Sequence, residues 1–262
     1  MRLGAWYSSN QTNSPLVILF HGYGGEKTGA LPEARKFLEM GFAVLLVDFR
    51  GSGDSSESYT TVGFDEAEDV EAVVRYARQQ IAPPQLILYG QSMGAAAVLR
   101  AIQVYGIKPD AVIAEAVFDT MLNTVRNRFH AMRLPSFPSA ELLIFWGGHQ
   151  AGFNGFEHNP LDYAAGVRCP ILFLHGDADP RAQLEQARRV FTAVRSSNKQ
   201  FKSFPGVGHV KGVSPGEYDI YLDGWCDTAT VFENGEETTG ATSGSDLPRD
   251  EPRESARTNF RG

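Results

Sequence analysis

Gly90-Gln91-Ser92-Met93-Gly94 is the stretch that decides the fold, because of what lies on either side of it. The five residues before it, 85–89, are mostly apolar, which is typical of a buried strand in a parallel sheet. The residues after it, 95–100, are strong helix formers without a breaker. The sequence therefore predicts a tight strand-to-helix turn that exposes the Ser92 hydroxyl, with glycines where a Cβ would clash.

Short apolar runs alternate with helix-like segments along the rest of the chain. This alternation predicts an α/β fold, a mostly parallel sheet flanked by helices on both faces. The predicted strands are Leu16–Phe20, Ala43–Phe49, Leu86–Tyr89, Ala111–Val117 and Ile171–Leu174, and the predicted helices are Leu31–Met40, Phe64–Gln80, Met93–Tyr105 and Arg181–Val194.

The composition and charge limit the kinds of protein that this chain can be. With 42% hydrophobic and 21% charged residues, the 262-residue chain can form one large domain with a substantial core. The net charge of −7 argues against nucleic acid or an anionic membrane surface as the partner. Two cysteines define no disulfide framework, and no run has the length of a membrane span or the core of a signal peptide. We expect a soluble cytoplasmic protein without stable membrane insertion.

Two stretches break the alternation. About 50 residues between Phe118 and Arg168 lack strand character and are rich in aromatics, which predicts a small helical cap after the strand ending near Val117. From Glu233 to Gly262 there are 7 acidic and 4 basic residues and few large apolar side chains, so we expect a disordered polar tail. The predicted organisation is one domain over residues 1–232, with the cap at 118–168, followed by the tail at 233–262.

Catalysis by Ser92 would need a base that takes the hydroxyl proton, and that base must be oriented. His209 follows the extended run 200–204, in a loop with glycines close by, and we expect it to be the base. The loop after residues 171–174 supplies Asp179, which we expect to be the acid, with Asp177 and Asp119 as alternatives.

Two backbone N–H groups would have to stabilise the negative charge that develops on the substrate oxygen. We expect one from Met93, the residue after the nucleophile, and the other from Tyr23 in the glycine-rich loop 21–25. An ordinary glycine-rich turn is the alternative for that loop.

Five short motifs occur in a fixed order along residues 3–225. They are His21-Gly22-x-Gly24-Gly25, Asp48-Phe49-Arg50-Gly51-Ser52-Gly53, the turn around Ser92, His175-Gly176-x-x-Asp179 and Gly208-His209. In this combination the chain resembles the α/β-hydrolase superfamily, and within it the serine aminopeptidase-like and BEM46-like branches. The resemblance implies the same triad and the same two N–H donors.

The chain differs from the resembled pattern at both ends. Such domains usually begin with one or two strands before the segment like Leu3–Tyr7, so we expect either a short sheet edge or a longer natural product, which could carry a membrane anchor. The last helix of the family should follow His209, and only Glu217–Phe232 can supply it.

The leading hypothesis is a serine hydrolase that cleaves carboxyl esters through an acyl-enzyme, with a small-molecule acyl substrate and no cofactor. Cap aromatics suggest an apolar acyl pocket, although they could equally pack the cap onto the sheet. They are Phe145, Trp146, Phe153 and Phe156.

Other functions and sites can be compared with this hypothesis on the residues present. A peptidase or amidase of the same fold would need an anchor for a charged amine, for which Glu141 and Glu157 are candidates. A hydrolase-fold binding module without turnover is the third function class. A metal site is not expected, because His130, His149 and His158 do not have metal-ligand spacing.

Overall fold

Eight strands form one mostly parallel sheet in the computed structural model, which describes residues 1–209, 221–222 and 224–226 and the backbone of 257–259. The strands are β1 (Gly4–Ser8), β2 (Leu16–Phe20), β3 (Ala43–Val47), β4 (Leu86–Gln91), β5 (Ala111–Glu115), β6 (Ile171–Gly176), β7 (Lys199–Phe204) and β8 (Arg257–Asn259). Their order is β7-β6-β5-β4-β2-β3-β1-β8. Strands β2 to β7 are parallel, and β1 is antiparallel to both of its neighbours.

Helices cover both faces of this sheet. They are α1 (Leu31–Glu39), α2 (Glu66–Tyr76), α3 (Met93–Arg100), α4 (Met121–Ala131), α5 (Ser139–Ala151), α6 (Pro160–Tyr163) and α7 (Leu184–Ala193). Strand β2 is buried along its whole length because alternate residues enter two different cores. Ile18 belongs to the core that includes residues of α2, α3 and α7, whereas Leu19 belongs to the core that includes residues of α1 and the helical residues Leu222, Trp225 and Cys226. The predicted α/β fold is therefore confirmed.

Two predicted strands end earlier than expected, and each has a local cause. The strand predicted to reach Phe49 stops at Val47, because the carboxylate of Asp48 accepts hydrogen bonds from the backbone N–H groups of Lys27 and Asp54. The strand predicted to reach Val117 stops at Glu115, because Ala116 has a φ of 51°.

The segment 118–168 is helical, as predicted for the cap. It contains α4, α5 and α6 and two short 3₁₀ turns, and it returns to the sheet at β6. In the part of the chain that the structure describes, no helix is long and apolar enough to cross a membrane.

Both predicted C-terminal segments fall largely outside the described residues. Of the helix expected at 217–232, residues 221–222 and 224–226 are described and are helical. Of the tail expected at 233–262, the backbone of 257–259 is described, and it pairs with β1. The rest of the predicted tail lies outside the described residues.

Candidate active site

Ser92 occupies the turn between β4 and α3 with a φ of 51° and a ψ of −106°, which is a strained conformation for a side chain with a Cβ. Its backbone N–H donates to the carbonyl of Glu115 on the adjacent strand, at 2.7 Å. A Cβ on Gly94 would lie 2.3 Å from the carbonyl oxygen of Phe20, and one on Gly90 would lie 2.7 Å from the backbone of α3. The flanking glycines are therefore required for the close approach of α3 to the sheet.

His209 and Asp179 are in direct contact. Nδ1 of His209 lies 2.6 Å from Oδ2 of Asp179, which is almost fully buried. The other carboxylate oxygen accepts from the backbone N–H groups of Arg181 and Ala182, at 2.8 and 3.0 Å. Burial acts to raise the pKa of Asp179, but the hydrogen bonds from His209 and the backbone outweigh it, so this pKa lies below its ordinary value. An ionised Asp179 can hold the proton of His209 on Nδ1 and leave Nε2 free to act as a base.

The loops that carry Asp179 and His209 are tied to each other by backbone contacts. The N–H of Ala178 donates to the carbonyl of Val207 at 3.0 Å, and a Cβ on Gly176 would lie 2.3 Å from the same carbonyl oxygen. Asp177 contributes as well, because its carboxylate accepts from the N–H of Gly206 at 2.7 Å. Asp177 therefore fastens the two loops together, whereas its neighbour Asp179 contacts the imidazole.

Asp119, the remaining candidate acid, belongs to a different set of contacts. Its buried carboxylate pairs with Arg189 and accepts hydrogen bonds from the N–H of Thr120 and from the side chain of Asn123. Of the three candidate acids, Asp179 is the one that the structure brings to His209.

The glycine-rich loop after β2 runs beside the serine. A Cβ on Gly22 would lie 3.6 Å from Cβ of Ser92. His21 fixes the path of this loop, because Nδ1 donates to the carbonyl of Gly22 at 2.8 Å and Nε2 accepts from the N–H of Phe49 at 3.1 Å. Burial lowers the pKa of His21, which favours this neutral form. The sequence does not predict this role of His21, because the motif indicates a turn through its glycines alone.

The two expected N–H donors lie on segments that flank Ser92. Met93 is the first residue of α3, where backbone N–H groups have no partner within the helix, and its side chain is buried. Tyr23 lies in the loop after β2 with half of its surface exposed, and the guanidinium of Arg128 stands 4.9 Å from the centre of its ring.

The cap contacts both the glycine-rich loop after β2 and the loop that carries Asp179, the acid loop, through α4. Arg128 reaches Tyr23, and the side-chain amide of Asn127 donates to the carbonyl of Arg181 at 2.9 Å. Helix α5 packs against α4 and is joined to it by an ion pair between Glu141 and Arg126. The cap is thus attached at the edge of the sheet where Ser92, Asp179 and His209 lie.

The four cap aromatics with a predicted role in an acyl pocket fall into two groups. Phe153 is partly buried and stacks on Phe64 with 4.1 Å between ring centres. Phe145, Trp146 and Phe156 are 54%, 56% and 39% exposed. The assignment of an acyl pocket to these residues stays a prediction.

His175 is a further buried histidine, and the sequence gives it no separate role. Its Nε2 donates to the carbonyl of Ala182 at 2.7 Å and lies 3.9 Å from Oδ2 of Asp179, while Nδ1 has no hydrogen-bond partner among the described residues. Burial lowers the pKa of His175. The bond to Ala182 closes the turn that presents Asp179, so His175 acts as a support of the acid loop.

Comparison with known proteins identifies the family. The family model described as the prolyl oligopeptidase family matches residues 32–223. The chain belongs to this family. Its members and the solved structures below share the α/β-hydrolase fold, so the predicted superfamily is confirmed, while the BEM46-like and serine aminopeptidase-like branches stay predictions.

Several solved structures have the same fold. The esterase Pf2001 of Pyrococcus furiosus aligns with a TM-score of 0.70 at 21% identity, covering 86% of this chain and 87% of the other. Est1E of Butyrivibrio proteoclasticus, solved with ferulic acid bound, aligns with a TM-score of 0.70 at 18% identity, covering 87% and 95%.

Curated relatives are similar in sequence over part of their length. The uncharacterised protein YqkD of Bacillus subtilis is 29% identical over 182 residues, which is 68% of this chain and 60% of YqkD. The lysophosphatidylserine lipase ABHD12 of Danio rerio is 23% identical over 203 residues, which is 73% of this chain and 50% of the lipase. The chain thus spans 50–60% of the length of these relatives.

Proposed function

We propose that this protein is a serine hydrolase that cleaves carboxyl esters through an acyl-enzyme intermediate. The observation that carries the proposal is the 2.6 Å contact between His209 and a buried, ionised Asp179, at the sheet edge where the turn strains Ser92. A buried carboxylate that orients an imidazole beside a strained serine is the arrangement that nucleophilic acyl transfer needs.

The proposed reaction has two steps. Ser92 Oγ attacks the carbonyl carbon while His209 Nε2 takes the hydroxyl proton, and the N–H groups of Tyr23 and Met93 bind the oxyanion. The tetrahedral intermediate expels the alcohol, which receives its proton from His209. Water then attacks the acyl-enzyme with His209 again as base, which releases the acid and restores Ser92. Side chains, backbone and water suffice for every step.

Esters are the favoured substrates for two reasons. The cap attached at the site is rich in aliphatic and aromatic residues, which suits an acyl or alkyl group better than a charged one. The similar proteins whose names state an activity include the Pyrococcus furiosus esterase and the Danio rerio lysophosphatidylserine lipase. We therefore propose a small-molecule ester with an apolar acyl chain.

Peptide or amide hydrolysis is the second candidate, because the matching family is named for an oligopeptidase. A peptidase would need a carboxylate for the substrate amine. In the cap, Glu141 is paired with Arg126, and Glu157 accepts a hydrogen bond from Asn154. Both carboxylates already have partners, which favours the ester reaction.

A panel of p-nitrophenyl esters of increasing acyl length, run beside aminoacyl arylamides, tests the proposal. We expect higher kcat/KM on the esters, loss of nearly all turnover in Ser92→Ala, and unchanged turnover in Ser8→Ala, a control at an exposed position on β1. Faster cleavage of the arylamides would favour the peptidase. Absence of turnover on every substrate by folded protein would favour a binding module and contradict the proposal.

A further inference from the structure

The hairpin formed by α4 and α5 presents a broad apolar face to solvent. Seven large side chains on its connecting loop and on α5 each expose half of their surface or more. We call them the hairpin face: Met132, Leu134, Phe137, Leu142, Leu143, Phe145 and Trp146.

Packing in the described part of the protein does not account for this face. Helix α5 contacts its neighbours along a narrow stripe of small and medium residues, Ala140, Ile144 and Gly148, and its leucines and aromatics point away from that stripe. Single exposed apolar residues are common on protein surfaces, but a contiguous group of this kind marks a site of interaction.

Charge distinguishes the hairpin from the rest of the molecule. Residues 121–151 contain three arginines and one glutamate, a balance of +2, in a chain whose net charge is −7. Arg133 lies exposed in the connecting loop, between the apolar residues of the hairpin face. An anionic surface would therefore be attracted to this face and repelled by the remainder of the protein.

We infer that the hairpin face docks onto a phospholipid bilayer. Exposed Trp, Phe and Leu side chains beside arginines are the composition of segments that lie in the headgroup region, with their apolar side chains inserted toward the acyl chains. A second copy of this chain suits the face less well, because a symmetric contact would bring two positively charged hairpins together. The net charge of the chain argues against binding to anionic membranes, but it is a sum over surfaces of opposite charge, of which the hairpin is the positive one.

Docking through this face would place the candidate active site next to the membrane. Helix α5 is joined to α4 through Arg126 and Glu141, and α4 contacts both Tyr23 and the acid loop at Arg181. The inference concerns binding and does not depend on the proposed reaction, so it is tested on Ser92→Ala protein, in which lipid turnover cannot alter the vesicles.

The test is flotation with unilamellar vesicles of phosphatidylcholine, with and without phosphatidylglycerol. We expect the protein to float with both vesicles and to bind the anionic ones more strongly. Leu142→Gln combined with Leu143→Gln keeps good helix formers on α5 and should lower the partition coefficient roughly tenfold. Arg133→Gln should lower binding about fivefold on anionic vesicles and leave binding to phosphatidylcholine unchanged.

The matched control is Leu31→Gln combined with Val104→Gln. These two residues are 47% and 50% exposed, close to the values of 52% and 57% for the leucines of α5, and both lie outside the cap. Thermal unfolding checks that each variant is folded. Absence of flotation, or equal loss in the control, would overturn the inference. So would a dimer in analytical ultracentrifugation that the α5 variant dissociates, since this face would then bind a second copy.

Discussion

Asp179 holds His209 with one carboxylate oxygen and its own loop with the other. Oδ2 lies 2.6 Å from Nδ1 of His209, and Oδ1 accepts from two backbone N–H groups in the turn that follows. An aspartate in this position could stabilise a turn or orient an imidazole, and Asp179 does both. The carboxylate is consequently fixed before substrate arrives, which is a condition for efficient proton transfer.

Asp179→Asn should leave the fold intact and lower kcat for ester hydrolysis by roughly 10⁴-fold. The amide offers its N–H where the carboxylate accepts, so His209 is held in the wrong tautomer or not at all. Asp177→Asn is the matched control, two residues away in the same loop, and should lower kcat only slightly. Equal effects of the two substitutions on kcat would contradict the assignment of the acid.

Tyr23→Pro should lower kcat by roughly 10²–10³-fold, because proline removes the backbone N–H that we assign to the oxyanion hole. Tyr23→Ala keeps this N–H and should retain most of kcat. Steady-state kinetics on a short-chain ester compares them, with circular dichroism to check the fold of each variant. Similar kcat values for the two variants would exclude the Tyr23 N–H as a donor.

Gly94→Ala should destabilise the protein by on the order of 3 kcal/mol, because its Cβ would lie 2.3 Å from the carbonyl oxygen of Phe20. Gly147→Ala, on α5, is the contrasting substitution. Apart from its chain neighbours and the adjacent backbone of α5, no atom lies within 4 Å of the position of its Cβ, so the substitution should stabilise the protein by about 0.5–1 kcal/mol through the higher helix propensity of alanine. Urea unfolding measures both changes. A Gly94→Ala protein as stable as wild type would contradict the close approach of α3.

His158 should make the stability depend on pH. Its Nε2 donates to the carbonyl of Val62, and burial lowers its pKa from 6.5 to about 4. As the pH falls below 6.5, the unfolded chain takes up a proton that the folded one does not, so stability is lost between pH 6.5 and 4. From pH 7 to pH 5 this one group should remove about 2 kcal/mol of unfolding free energy.

His158→Gln, measured by urea unfolding at pH 7 and pH 5, should show a smaller loss than wild type. His149→Gln, at an exposed position on α5, is the control and should keep the wild-type loss. His21 and His175 also have pKa values lowered by burial, so part of the pH dependence should remain in His158→Gln. Identical pH dependence in the two variants would contradict the role of His158.

Much of the sheet could be predicted because its central strands are buried on both faces and read as continuous apolar runs. The pair Asp179 and His209 was predicted from order alone, since both follow strands of a parallel sheet and so reach the same edge. The sequence favours Asp179 over Asp177, which lies two residues away, and the structure adds where each carboxylate points: Asp179 contacts His209, whereas Asp177 accepts from the N–H of Gly206.

The roles of the buried histidines could not be predicted from the sequence. His21, His158 and His175 are buried, and each bonds to a backbone group that the folded chain brings close. The partner is the N–H of Phe49 for His21, the carbonyl of Val62 for His158 and the carbonyl of Ala182 for His175. The apolar residues of α5 show the same limit, because a run such as Leu142–Trp146 indicates a buried helix and an exposed docking face equally well. Whether such a side chain is buried or exposed depends on tertiary contacts that no local sequence pattern encodes.

The most direct measurement of the central claim is labelling of the purified protein with a fluorophosphonate probe, read by intact mass. The probe reacts with a serine that an adjacent base has activated. We predict one adduct on the wild-type protein and none on Ser92→Ala. An adduct that persists in Ser92→Ala, or no adduct on folded wild-type protein, would contradict the assignment of Ser92 as the nucleophile.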